Sequence, residues 1–169
     1  MKPSTYPGVS LDEAFRLHGA ELVRVAAFIL GDRGAAEDVV QDVFVRVYER
    51  TELLGGDPQF YLRSAVINGC RTMLRRARLI RRHAERQGQQ SACPPLTTEE
   101  AMLLDEDRKR VLAALTTLSR RRREVLVLRF YLDMSEAEIA RTLGISPGTV
   151  KSTAARGLAA LAKQLREAS

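Results

Sequence analysis

The sequence predicts an all-α protein built as two small helical domains joined by a flexible linker. Three observations carry that prediction. Apolar residues recur at helical spacing almost throughout, with no strand-like alternation and no long internal repeat. The stretch from Gln87 to Pro95 has almost no bulky apolar residue and ends in a proline pair, which is a linker composition. It sets the expected domains at 10–86 and 99–167, with 87–98 between them. Charge is segregated as well. Residues 1–56 hold six basic and nine acidic side chains, 57–86 eight and two, 87–118 three and five, and 119–169 ten and five. Two basic blocks, each beside an acidic one, suit two anion-contacting modules better than one evenly solvated surface.

The elements follow in order. Leu11, Phe15, Leu22, Val25 and Ile29 fall on one face of a first helix, and Gly31 and Gly34 break the pattern. A second helix is expected from about 35 to 51, with Val40, Val43, Phe44 and Val47 as its buried stripe. Leu53 to Pro58 reads as a loop: two glycines, then Asp57 as a cap and Pro58 at the first helical position. A third helix runs from Pro58 into the low 80s. Its Phe60, Leu62, Ala65, Val66, Met73 and Leu74 look inward, and arginines accumulate toward its C-terminal half. Helical patterning resumes at Thr98 and continues through Val111, Leu115 and Leu118. A further helix is expected from about Arg120 to Leu132, and its opening run, Arg120 to Arg123, reads as a phosphate clamp.

Composition narrows the function classes. A chain of 169 residues, 45% apolar and 28% charged, is globular and long enough for two small domains. The absence of Trp and the 5% aromatic content argue against a large aromatic-lined pocket. Cys70 and Cys93 lack C-x-x-C spacing, and His18 and His83 lie far apart without ligand-like neighbours. No metal, no cofactor and no catalytic residue is therefore expected, and no Gly-rich loop ends in Gly-Lys-Ser/Thr. Without an 18-residue apolar run or a signal-peptide core, the expectation is a cytoplasmic protein with no membrane insertion. The net charge of +6 points to a polyanionic partner.

The most specific local pattern spans 135–157. Ser135 with Glu138 three residues on forms a capping box that starts a helix. Ile139, Ala140 and Leu143 face inward, and small Ala140 lets a second helix approach. Gly144 supplies the turn, and Ser146 and Pro147 cap and open the next helix, whose Val150 packs back on the first. That is helix-turn-helix spacing. The second helix presents Thr149, Lys151, Ser152 and Arg156 on its polar side, all able to reach phosphates or base edges.

Gly31 to Tyr48 and Asp57 to Asn68 together resemble region 2 of sigma-70-family factors of the small extracytoplasmic-function (ECF, group 4) type. The motif at 135–157, with the basic helix before it, resembles region 4 of the same family. The resemblance implies a transcription initiation factor that binds core RNA polymerase and directs it to promoters through −10 and −35 elements. By that resemblance Asp38, Gln41, Asp42, Val45 and Glu49 form a face that docks on the polymerase β′ clamp helices, with the β subunit as a further contact. Tyr61, Asn68, Arg71, Arg75 and Arg76 would face the −10 strand, the loop from Leu53 to Pro58 would hold an extruded base, and Arg78, Arg81 and Arg82 would extend the basic face. Thr149, Lys151, Ser152 and Arg156 would read the −35 duplex. Tyr61 stands where the family often has Trp, Thr72 where an Asp is common after Asn68, and Thr153 and Ala155 where larger or basic side chains are frequent. An anti-sigma factor is the implied restraining partner, and strand opening needs binding energy and no catalytic residue. Two rivals remain at this level. One is a stand-alone helix-turn-helix regulator on a duplex operator. The other is a nucleic-acid-processing enzyme, for which Asp38 and Asp42 are the only close acidic pair on one helical face.

Overall fold

The computed structural model describes residues 5–6, 9–49, 57–86 and 106–167. The expected linker, Cys93 and most of the loop from Leu53 to Pro58 lie outside these residues. The chain divides into two compact units, Met1–Pro95 and Leu96–Ser169. The expected all-α class holds, with one addition: β1 (Thr5–Tyr6) pairs antiparallel with β2 (Val9–Ser10), Thr5 opposite Ser10 and Tyr6 opposite Val9. Strands of two residues are too short to show alternation in a sequence.

The first unit is a three-helix pack of α1 (Leu11–Leu30), α2 (Arg33–Glu49) and α3 (Pro58–Arg86). Ala14, Leu22, Val25, Ala26 and Ile29 of α1 meet Ala36, Val39, Val40, Val43, Phe44 and Val47 of α2 and Leu62, Val66, Ile67 and Cys70 of α3 in one apolar core. Phe15, expected in that core, is 44% exposed and instead sets its edge on Phe44, with ring centroids 4.9 Å apart at 83°. Helix α2 begins before the expected 35 because Asp32 caps it, its Oδ1 accepting from Ala35 N at 2.7 Å. Gly34 therefore lies inside the first turn and does not break the chain. Asp57 caps α3 as expected, Oδ1 accepting from Gln59 N at 3.0 Å and Phe60 N at 3.3 Å. Arg63 ties α3 to α1 through Glu21, with Nη2 3.3 Å from both carboxylate oxygens.

Gly69, in the middle of α3, marks the closest approach of two helices. A Cβ there would lie 2.8 Å from Val39 Cγ1. Gly69→Ala is expected to force α3 off α2 and lower stability by about 1–3 kcal/mol, more than the helix propensity alanine restores. A higher thermal midpoint for the variant would show the helices free to move apart.

The second unit comprises α4 (Glu106–Thr117), α5 (Arg120–Leu126), a π-helical turn (Val127–Tyr131), α6 (Glu136–Leu143) and α7 (Pro147–Glu167). The single helix expected from 120 to 132 thus changes winding midway, and Leu132 N donates to Val127 O at 3.2 Å. Ala114, Leu118, Val125, Leu128, Ile139, Leu143 and Val150 are buried, and Leu126 packs against Gly157 of α7. Val111, one of the apolar residues that carry the helical pattern there, is 39% exposed.

The run Arg120 to Arg123 departs from the expected clamp. Arg120 Nε lies 3.3 Å and Arg121 Nη1 3.4 Å from the carboxylate of Glu124, which is fully buried. Arg123 closes the end of α4, Nε donating to Leu115 O at 2.9 Å and Nη2 to Thr116 O at 2.7 Å and Leu118 O at 3.3 Å. Burial pushes its pKa below the ordinary guanidinium value, opposed by the nearby charge of Glu124. Three of the four cations hold α5 in place, so the run serves the fold first.

Candidate functional site

In the second unit the turn between α6 and α7 is set by local chemistry. Ser135 Oγ accepts from Glu138 N at 3.3 Å, while Glu138 Oε2 accepts from Ser135 N at 2.8 Å and Ser135 Oγ at 2.7 Å. Gly144 ends α6 at φ 64° and ψ 44°, a left-handed conformation that a Cβ disfavours. Ile145 N donates to Ala140 O at 3.0 Å, and Ser146 Oγ then accepts from Thr149 N at 3.2 Å to start α7. Val150 is wholly buried and Thr153 is 6% exposed, so both point into the unit. Thr153 therefore belongs to the packed face of α7. Thr149, Lys151, Ser152, Ala155 and Arg156 are all exposed over the first turns of α7.

That outer face is internally connected. Ser146 Oγ and Thr149 Oγ1 lie 2.9 Å apart, and Ser152 Oγ donates to Thr149 O at 3.2 Å. Arg156 folds back on Ser152, with Nε 3.1 Å from the carbonyl and Nη2 3.3 Å from the hydroxyl. Lys151 is exposed beside them.

In the first unit, Asp38, Gln41, Asp42, Val45 and Glu49 all lie on the exposed side of α2, with Val45 55% exposed. Asp42 pairs with Arg46 at 2.9 Å. On α3, Asn68, Arg75 and Arg76 are exposed and Tyr61 is half-buried. Arg71 is half-buried and already engaged within the protein. Sequence reasoning placed these two sets on separate helices, and the structure brings parts of both together. Asp38, Asp42 and Glu49 line one side of an open groove of about 870 Å³, and Tyr61, Asn68 and Arg76 line the other. Gln41, Val45, Arg71 and Arg75 stand outside it.

Thr72 and Gly69 also line the groove and were not singled out for it. A glycine in the interior of an arginine-rich helix was the available signal, since it costs helix propensity and so implies a close neighbour. Beyond Leu74, every described α3 side chain through His83 is exposed, including Arg75, Arg76, Arg78, Arg81 and Arg82. Among the described residues no group of His, Cys, Asp or Glu could hold a metal ion, and no helix is long and apolar enough to cross a membrane.

A helix-turn-helix in one unit and an arginine-bearing helix face in the other are features of a DNA-binding protein. The family model of Sigma-70 region 2 matches residues 14–80, and that of Sigma-70, region 4 matches residues 108–161. The ECF RNA polymerase sigma factor SigL of Mycobacterium tuberculosis is 34% identical over 154 residues, 89% of this chain and 85% of that protein. The RNA polymerase sigma-E factor of Streptomyces coelicolor is 34% identical over 159 residues, 93% of this chain and 86% of that one. Among solved structures, the sigma factor RpoE of Bartonella quintana, in complex with the anti-sigma factor NepR, shares the fold. Its TM-score is 0.73 at 21% identity, over 92% of this chain and 96% of that chain. CnrH, solved with the cytosolic domain of CnrY, has a TM-score of 0.66 at 26% identity, over 94% and 89%.

The chain belongs to the sigma-70 family, among its extracytoplasmic-function members, and acts as a transcription initiation factor. A stand-alone helix-turn-helix regulator is not favoured, because region 2 is matched as well as region 4.

Proposed function

We propose that the protein binds core RNA polymerase through the exposed side of α2, reads and opens the −10 element with α3, and reads the −35 duplex with α7. Asp38, Gln41, Asp42, Val45 and Glu49 make the docking face for the β′ clamp helices. Three acids around an exposed valine suit a basic, partly apolar protein surface and repel a phosphate backbone. Tyr61 and Asn68 take unpaired bases, Arg71, Arg75 and Arg76 take phosphates, and the segment from Leu53 to Pro58 holds the extruded base. Thr149, Lys151, Ser152 and Arg156 form the −35 surface. The protein works in the cytoplasm without catalytic chemistry of its own, and an anti-sigma factor is the class of partner that restrains it.

The observation that carries this reading is the outer face of α7. Val150 and Thr153 are buried, and that fixes which side of the helix is free. That side holds a lysine, an arginine and hydroxyls at the start of a helix-turn-helix second helix. The direct experiment is capture of core polymerase by the full chain, followed by promoter-directed transcription. The docking face has its own test. Asp38→Arg with Asp42→Arg is expected to weaken core binding at least about tenfold at moderate salt while circular dichroism stays helical, because both sites are exposed. Unchanged affinity in that titration sinks the docking assignment.

A further inference from the structure

We infer that Ser152 is a positioning residue that holds the Arg156 guanidinium for end-on recognition of a guanine in the −35 element, and makes no base contact itself. The inference rests on the −35 reading of α7 and changes the role of one of its residues. It starts from the donor inventory. A serine hydroxyl has one proton and two lone pairs, and an arginine has five N–H donors in a planar fork. The Ser152 proton is committed to Thr149 O at 3.2 Å. Its oxygen then faces Arg156 Nη2 at 3.3 Å. With its donor used on the helix and its oxygen turned to a cation, Ser152 has little left for a base or a phosphate.

Arg156 is held at two points. Nε donates to the Ser152 carbonyl at 3.1 Å, and one Nη2 proton lies toward the Ser152 hydroxyl. Two contacts to a planar group fix both its position and the tilt of its plane. The donors left over are both protons of Nη1 and the second of Nη2. One from each nitrogen lies side by side on the end of the fork, the edge not turned to Ser152. Two parallel donors on that edge match the O6 and N7 acceptors of guanine in the major groove, and adenine offers only one acceptor there, beside an amino donor. An unrestrained arginine would have to order its side chain on binding. Held by Ser152, it loses less freedom when it meets the base.

Lys151 provides the internal contrast. It is exposed on the same helix, and among the described residues no hydrogen bond orients it. A mobile ammonium suits a phosphate, where charge matters more than direction. The inference therefore separates α7 into an oriented base reader and a flexible backbone contact.

The test uses holoenzyme reconstituted from core polymerase and full-length chain. Bound promoters are selected from a library randomised over the −35 element, and the retained base frequencies are counted. Arg156→Ala is expected to abolish a guanine preference at one position. Ser152→Ala is expected to reduce that same preference about 3- to 10-fold, as ordering one long side chain implies. It should leave the other positions and the salt dependence of binding unchanged. Ser152→Thr keeps the hydroxyl and is expected to restore the preference. Lys151→Ala should weaken binding to all sequences alike and flatten the salt dependence. Ser152 is exposed, and alanine favours helix, so thermal unfolding of Ser152→Ala should match the parent.

If Arg156→Ala removes the guanine preference and Ser152→Ala leaves it intact, the positioning role is wrong and the −35 reading stands. A Ser152→Ala variant that loses preference at several positions, without rescue by threonine, also overturns the inference by making Ser152 a general determinant. If Arg156→Ala changes no −35 preference, the reading of α7 itself fails.

Discussion

Glu124→Ala is expected to destabilise the second unit by about 3 kcal/mol and to expose α5 first. The carboxylate is wholly buried between two arginines of its own helix, at 3.3 and 3.4 Å. Four cations in the first turn oppose the positive end of the helix dipole, and Glu124 is the acid that offsets Arg120 and Arg121 there. Breaking a buried ion pair from one side costs about 3–5 kcal/mol, because the partner's charge is left behind. Arg120 and Arg121 retain about a third of their side-chain surface in solvent and can rehydrate, which places the expected loss at the lower end. Glu124→Gln keeps the volume and loses only the charge, so about half the effect is expected. Native-state hydrogen exchange localises the damage, with amides of α5 and the π turn losing protection before those of α6 and α7. An alanine variant as stable as the parent would mean that the arginines hold α5 without their acid.

The same cluster shows where the sequence was readable and where it was not. Ser135, Glu138, Gly144 and Ser146 act within four residues of themselves, through hydrogen bonds that depend only on local spacing. Such devices are legible in a chain, and the helix-turn-helix was found from them. Arg120 to Arg123 looked like a phosphate clamp because the spacing of Glu124 to Arg120 and Arg121 does not reveal that the acid is buried, and because the partners of Arg123 lie far back in the chain. Arg123 reaches back seven and eight residues, to the carbonyls of Thr116 and Leu115, across the turn that joins α4 to α5. The π turn at Val127–Tyr131 has no residue signature, since one extra residue in a helical turn leaves the apolar spacing nearly unchanged. Thr153 was noted only as a departure from the family pattern, and its burial was not legible from that. In the first unit, the buried stripe of α2 was legible from its valines. The groove was not, because it is made by Gly69 and Val39 of different helices coming close.

That groove makes the second large effect a matter of opening rather than of binding. Tyr61 and Asn68 are seven residues apart on α3, about two turns or roughly 10 Å along the helix, and both line the groove. An aromatic ring accepts a stacked base whatever its identity, and an amide discriminates by its paired donor and acceptor. In the proposed role both act on unpaired bases, so their contact energy is released only as the strands separate. Each alanine replacement is expected to remove about 1–3 kcal/mol from the open complex. The pair together should disfavour the open complex on a duplex promoter by about 2–6 kcal/mol, roughly 30-fold to 10⁴-fold, if the two sites add. On a template whose −10 segment is already unpaired, the same variants should lose far less, since no pairing has to be broken. Permanganate reactivity on both templates reads the difference directly. Arg156→Ala should show the opposite pattern, weakening recruitment to both templates alike while leaving the opening step itself unchanged once the promoter is bound. Were Tyr61→Ala and Asn68→Ala to melt duplex promoters normally while Arg156→Ala abolished melting, the energy for opening would have to come from α7, and α3 would be only a phosphate contact.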